Sequence, residues 1–202
     1  MKEQIDWERL KKGASLCLRN SGRLIYDAGH LFRAKSYSSS ILLAIYSIEE
    51  AGKALLCLDY FQRGRDVTEE CWRYEFKEHV FKIFKTYEGM FQEAINRDPL
   101  DNMLRQIAKK VQWAGDQNTF YKALSKTLND WKKQSIYMDY DFKKGEWIEP
   151  TKIQSIESLD IGLERLARGI ICQALLIILS VEKRLEGRVI NLGDFDDIYI
   201  VT

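Results

Sequence analysis

Two adjacent carboxylates and a lysine, Glu49, Glu50 and Lys53, sit in the middle of "SSSILLAIYSIEEAGKALLCLDYF", residues 38–61, a stretch otherwise small and apolar. On a helix, Glu49 and Lys53 form an i,i+4 pair in the favourable order, and Glu50 and Lys53 an i,i+3 pair. Each is worth a few tenths of a kcal/mol at an exposed position. At about 100° per residue, Ile41, Ile45, Ile48, Gly52 and Leu55 share one face and Glu49 lies on its shoulder, while Leu43, Ala44, Ala51 and Leu58 make most of the remaining circumference apolar. A helix surrounded in this way would bury its charges. Ionised groups cost several kcal/mol to desolvate unless they are paired, so charge in such a place often marks a site. A surface ion pair and a buried polar site are both open at this point. Gly52, which costs about 1 kcal/mol against alanine in a helix interior, implies a close neighbouring backbone.

The chain has two histidines, His30 and His79. His79 follows Arg73 in an R-x5-H arrangement and precedes Lys82 by three positions; His30 follows Arg23 in R-x6-H. A seven-residue step returns to the same helix face, whereas the six-residue step from Arg73 does so only if a helix end intervenes. An Arg–His pair suits metal-independent RNA cleavage. Histidine titrates in the range needed to take a proton from a ribose 2′-hydroxyl, and arginine binds phosphate through a bidentate fork. The plainer alternative is that His79 is a solvated or core-edge histidine beside Glu78. H-E-x-x-H, C-x-x-C, G-x-S-x-G and phosphate-cradling glycine loops are missing, so hydrolase, zinc and nucleotide-fold signatures give no support.

The elements that must hold these groups are helices. Two prolines in 202 residues, Pro99 and Pro150, leave long stretches without turn clusters. Apolar periodicity predicts helices over about 6–32, with Asp6 as cap, and over about 36–61, with Ser36 as cap and Gly64 beyond the end. A continuous helix is expected over 69–95, its stripe of Trp72, Phe76, Val80, Ile83, Phe84, Tyr87 and Phe91 forming core. Further helices are expected from Pro99 to about 111, over 119–134 and over 155–186. "SIYMDYDFKKGEWIEP" alternates apolar residues around a Lys-Lys-Gly turn and predicts a short β-hairpin or ordered loop near 136–148. The expected fold is mainly α, all-α in class, as a single domain over 1–202 with an irregular tail at 187–202.

A formal charge of +1 gives no whole-chain argument for nucleic-acid binding and leaves a local patch as the electrostatic route. Cys17, Cys57, Cys71 and Cys172 lack metal-ligand spacing and lie mostly in apolar helical contexts, which predicts reduced, buried thiols. The N-terminus has no uninterrupted apolar run of the signal-peptide kind. "GIICQALLIILSV", at about two-thirds of a membrane span, is expected as a core helix. These features predict a cytoplasmic protein without a membrane partner.

Taken together, the motifs resemble the AbiV family of bacterial abortive-infection proteins, within the HEPN superfamily. The E-E-x-G-K element matches Glu49, Glu50, Gly52 and Lys53; H-x-x-K matches His79 and Lys82; Y-x-D before a G-x-W turn matches Tyr137, Asp139, Gly145 and Trp147. The resemblance covers roughly residues 7–186. It implies a HEPN-like helical bundle that forms a homodimer and acts in phage defence, with no cofactor or metal. Many HEPN proteins are ribonucleases with R-x(4–6)-H motifs, which implies a toxin that cuts RNA and arrests translation, possessing a phage-encoded activator. On that basis His79 is the base, Arg73 and Lys82 hold phosphate, and Glu50 and Lys53 complete the site. Glu49, Tyr137 and Asp139 support it, with Glu49 expected to be structural and Arg23 and His30 held as the reserve pair. Two other functions stay open: a non-catalytic dimeric module binding a phage protein or the translation machinery, and a small-nucleotide site between helices.

Overall fold

The structure, a computed structural model, describes residues 7–62, 68–94, 117–135, 139–141, 146–148 and 162–186. The fold is all-α. Helix α1 (Trp7–Arg33) ends where Lys35 takes a left-handed conformation, φ 61°. There the Lys35 amide donates to Phe32 O (2.9 Å) and the Ser36 amide to Leu31 O (2.9 Å), a Schellman-type closure. Ser36 O then accepts from the Ser40 amide at 3.0 Å, so α2 (Tyr37–Gln62) starts at once and runs back along α1. Small polar residues hold this seam tight. Ser21 Oγ donates to Ser47 O (2.8 Å), Ser47 Oγ to Ser21 O (2.9 Å), and Ser40 Oγ to Ala28 O (2.8 Å).

Helix α2 is the hub, with sixteen of its 26 residues buried, so a stripe on one face cannot describe it. It packs against α1, α4 (His79–Ala94), α5 (Gln117–Gln134) and α6 (Leu163–Leu185). Ile41, Ile45 and Ile48 of α2, Ile83 of α4, Leu124 and Leu128 of α5, and Leu166 and Ile170 of α6 are inaccessible to solvent. The Tyr87 hydroxyl donates to Gln173 Oε1 (2.6 Å) and ties α4 to α6. Two three-residue strands, β1 (Asp139–Asp141) and β2 (Glu146–Ile148), pair antiparallel with Tyr140 opposite Trp147, the pairing that the hairpin alternative expects. All four cysteines are free thiols. Among the described residues no helix is long and apolar enough to cross a membrane.

One expected element is corrected. Residues 69–95 do not form one helix: a short α3 (Glu69–Cys71) passes into a π-helical turn, Trp72–Phe76, the chain breaks at Lys77 and Glu78, and α4 begins at His79. No proline or glycine marks the break. Phe76 is buried against Tyr60 (6.1 Å between ring centroids), and Ile83, Phe84 and Tyr87 are buried beyond it. The apolar residues on the two sides are in phase, so the periodicity runs straight across the interruption. The helix expected after Pro99, residues 155–161 of the last helix, Tyr137 and the tail 187–202 lie outside the described residues.

Candidate functional site

Ser47 faces α1, and Glu49, two residues on and about 200° round the helix, faces α4 and α5. Its side chain is 3% exposed, and two lysines and a histidine converge on it. Lys132, in the last turn of α5, donates to Glu49 Oε1. His79 Nδ1 lies 2.7 Å from Glu49 Oε2, and Lys82 Nζ lies 3.9 Å from the same oxygen. Lys82 and Lys132 are as buried as the carboxylate, whereas the His79 side chain is 52% exposed. The arrangement therefore runs from a buried ammonium through a buried carboxylate to an imidazole at the surface.

The break before α4 creates this geometry. Glu78 O accepts the Lys82 amide at 3.2 Å, which makes His79 the first residue of the helix and Lys82 its neighbour one turn later on the same side. Arg73 lies on the π turn across the break and is exposed. A helix end thus separates Arg73 from His79, the condition under which a six-residue step can serve one site.

With Glu49 ionised between two lysines, the His79 Nδ1 proton is the one donated to it, which leaves Nε2 as the acceptor of the ring. Around this centre, Lys53 donates to Glu50 Oε1 as a partly buried i,i+3 pair. Of the i,i+4 and i,i+3 options the structure takes the second: Lys53 pairs with Glu50, and Glu49 turns to α4 and α5. Lys132 also lies over the Tyr46 ring, 5.1 Å from its centroid. Burial holds the Lys82 ammonium below the ordinary lysine pKa, with Glu49 opposing that shift and the positive charges of Lys53 and Lys132 adding to it.

That depression has a measurable consequence. Because the folded-state value lies below the unfolded one, the unfolded chain binds this proton more readily. The contribution of Lys82 to stability is complete above the unfolded value and is lost as pH falls through the lowered folded value. The melting temperature of the wild type is therefore expected to gain on that of Lys82→Met as pH rises towards the ordinary lysine value of about 10.4. A difference that stays flat across parallel thermal melts would show that Lys82 titrates as an ordinary lysine.

A family model for AbiV, of the HEPN group, matches residues 9–170. The chain belongs to the AbiV family. Comparison with curated proteins and with solved structures gave no match. AbiV proteins are abortive-infection proteins, which places this chain in phage defence. The match takes in the E-E-x-G-K helix, the break and α4, so Glu49, His79 and Lys82 lie in the AbiV region.

Among the sequence-derived residues of this AbiV chain, the structure brings Glu49, His79 and Lys82 into one cluster and places Glu50 and Lys53 as a pair beside it. Arg23 and His30 are on the outward side of α1. Arg23 bonds Asp27 (3.3 Å) and Asn20, and the His30 ring stands edge-on to Tyr26, 4.5 Å between centroids. Asp139 pairs with Ile148 in the hairpin. Lys132 escaped the sequence reasoning, and a signal for it exists. Ser125, Asn129 and Lys132 recur at helical spacing beside the apolar Leu124, Leu128 and Trp131, and all six are buried. A polar line on the shoulder of an apolar face needs a buried partner.

Proposed function

We propose that this AbiV protein is a metal-independent endoribonuclease that arrests translation in the infected cell, with His79 as its base. The observation that carries the reading is the bond from His79 Nδ1 to the buried Glu49 (2.7 Å), which fixes the ring and leaves its other nitrogen at a surface position. Base, orienting carboxylate and a cation behind the carboxylate is the logic by which enzymes activate a weak nucleophile. His79 takes the proton of a ribose 2′-hydroxyl, the 2′-oxygen attacks the adjacent phosphorus, and the 5′-oxygen leaves with the proton returned by His79. Arg73, which is exposed, and Lys53, half-buried in its pair with Glu50, stabilise the charge on the phosphorus oxygens. Lys82 and Lys132 are too buried to reach a phosphate and act through Glu49. The protein works in the cytoplasm as a homodimer, as HEPN domains commonly do, and is released by a phage-encoded activator.

With the activator present, His79→Ala is expected to cut RNA at least about 100-fold more slowly than the wild type, as loss of a positioned base implies. Gel analysis of labelled RNA reads this directly. Undiminished cleavage would falsify the role of His79. Full phage protection by a His79→Ala protein that cuts no RNA would favour the non-catalytic interaction module, in which the Glu49 cluster is an internal polar network.

A further inference from the structure

Helix α1 is charged unlike the rest of the chain. Its 27 residues carry six basic and two acidic side chains, a net +4 in a protein whose total is +1. The basic residues are also aligned. Arg9, Lys12, Arg19, Arg23 and Arg33, with Leu16, Tyr26 and His30 between them, succeed one another at steps of three or four, and every one is exposed. Such steps form a single row along a helix. Over 24 residues at 1.5 Å per residue the row is about 36 Å long. Leu10, Ala14, Leu24, Ile25 and Ala28 occupy the opposite side and are buried, so the row points away from the core.

We infer that this outer row of α1 is a rail that binds the phosphates of single-stranded RNA and presents the strand to the neighbouring site. The inference rests on the ribonuclease reading for the kind of nucleic acid. The charge of the row selects among occupants. A second copy docking through the same row would set arginines against arginines. A lipid surface needs an apolar face, and that of α1 is spent in the core; Leu16 and Tyr26, 51% and 66% exposed, are the large apolar groups on the row. A polyanion meets the cations of the row, and an arginine offers it a fork of donors, Arg23 exchanging its surface bonds to Asp27 and Asn20 for phosphate. Tyr26, its ring steadied edge-on by His30, provides a face on which a base can stack. The rail runs along the helix that carries the site: α1 packs on α2, and Ser21 of α1 bonds Ser47, two residues before Glu49. Arg23 and His30, alike in spacing to a catalytic pair, thereby become binding residues.

The test uses the full chain and a fluorescein-labelled, 2′-O-methylated oligouridine, which lacks the hydroxyl needed for cleavage. In anisotropy titrations, Arg19→Glu/Arg23→Glu is expected to bind on the order of tenfold or more weakly than the wild type, with a salt dependence shallower by about 1.4 log units per log unit. Arg19→Lys/Arg23→Lys keeps the charge and most of the affinity, and both double variants stay folded, because both positions are exposed and the Arg23–Asp27 pair lost in the Glu variant lies at the surface. Equal binding by the Glu variant overturns the rail and leaves the ribonuclease reading standing. Absence of oligonucleotide binding by the wild type overturns both. Loss of the rail's binding together with undiminished cleavage by His79→Ala keeps the rail and removes the proposed base. A row whose charge reversal changes instead only binding to phosphatidylserine vesicles, or the sedimentation state, is a membrane or self-association surface, and the rail falls.

Discussion

Glu49→Ala is expected to destabilise the protein by about 3–5 kcal/mol, the cost of stranding buried charge whose partner has been removed. Glu49 is the anion between Lys132 and Lys82, and both lysine side chains are about 95% buried. Removing the carboxylate leaves two buried ammonium groups without the anion they share. The same change frees the His79 ring, so cleavage falls with stability, and a single variant cannot separate the two effects. A triple variant can. Replacing Glu49, Lys82 and Lys132 by Leu, Met and Met exchanges the buried ions for apolar groups of similar volume, a change that is often neutral or stabilising. Urea unfolding should show stability regained in the triple variant while RNA cleavage stays lost, because nothing then orients His79. A Glu49→Ala cost below about 1 kcal/mol, the range of exposed pairs, would mean that water reaches these charges.

The E-E-x-G-K helix illustrates what the sequence makes legible and what it withholds. Apolar residues around the whole circumference of α2 announced a surrounded helix, and sixteen buried positions bear that out. The same pattern set Glu49 between Leu42 and Leu56, which argued for a structural carboxylate and favoured Glu50 as the group near His79. In the structure the buried Glu49 is the carboxylate bonded to the half-exposed His79, and Glu50 closes a local pair with Lys53. Local spacing shows the i,i+3 and i,i+4 options of a side chain and is blind to a partner 83 residues away, which is where Lys132 stands. The break before His79 stayed hidden for a related reason. A π turn changes the phase of a helix without any residue that forbids helix, and the burial of Phe76 against Tyr60 that accompanies it is a tertiary contact.

Gly52→Ala is expected to cost about 100-fold in activity while lowering stability far less than Glu49→Ala does. A Cβ on Gly52 would lie 2.2 Å from the Lys82 carbonyl oxygen, 2.8 Å from the Lys82 carbonyl carbon and 2.7 Å from Thr86 Oγ1. Two of those atoms are backbone of α4, and Thr86 is itself held by bonds to Ile48 O and Lys82 O. No rotamer relieves the clash, so α4 has to shift away from α2. Alanine is the better helix former by about 1 kcal/mol, and overpacking of this kind costs about 1–3 kcal/mol, so the net effect on stability is modest. The effect on the site is larger, because α2 carries Glu49 and α4 carries His79 at its first residue. A displacement of about 1 Å stretches their 2.7 Å bond beyond hydrogen-bond range, and misplacement on that scale costs on the order of 100-fold in rate. Gly22 and Gly29 of α1 supply the control, since a Cβ at either meets nothing within 4 Å. Alanine there should raise the melting temperature and leave cleavage unchanged. If Gly52→Ala behaves as they do, gaining stability and keeping its activity, then the close approach of α2 and α4 is not what holds His79 against Glu49.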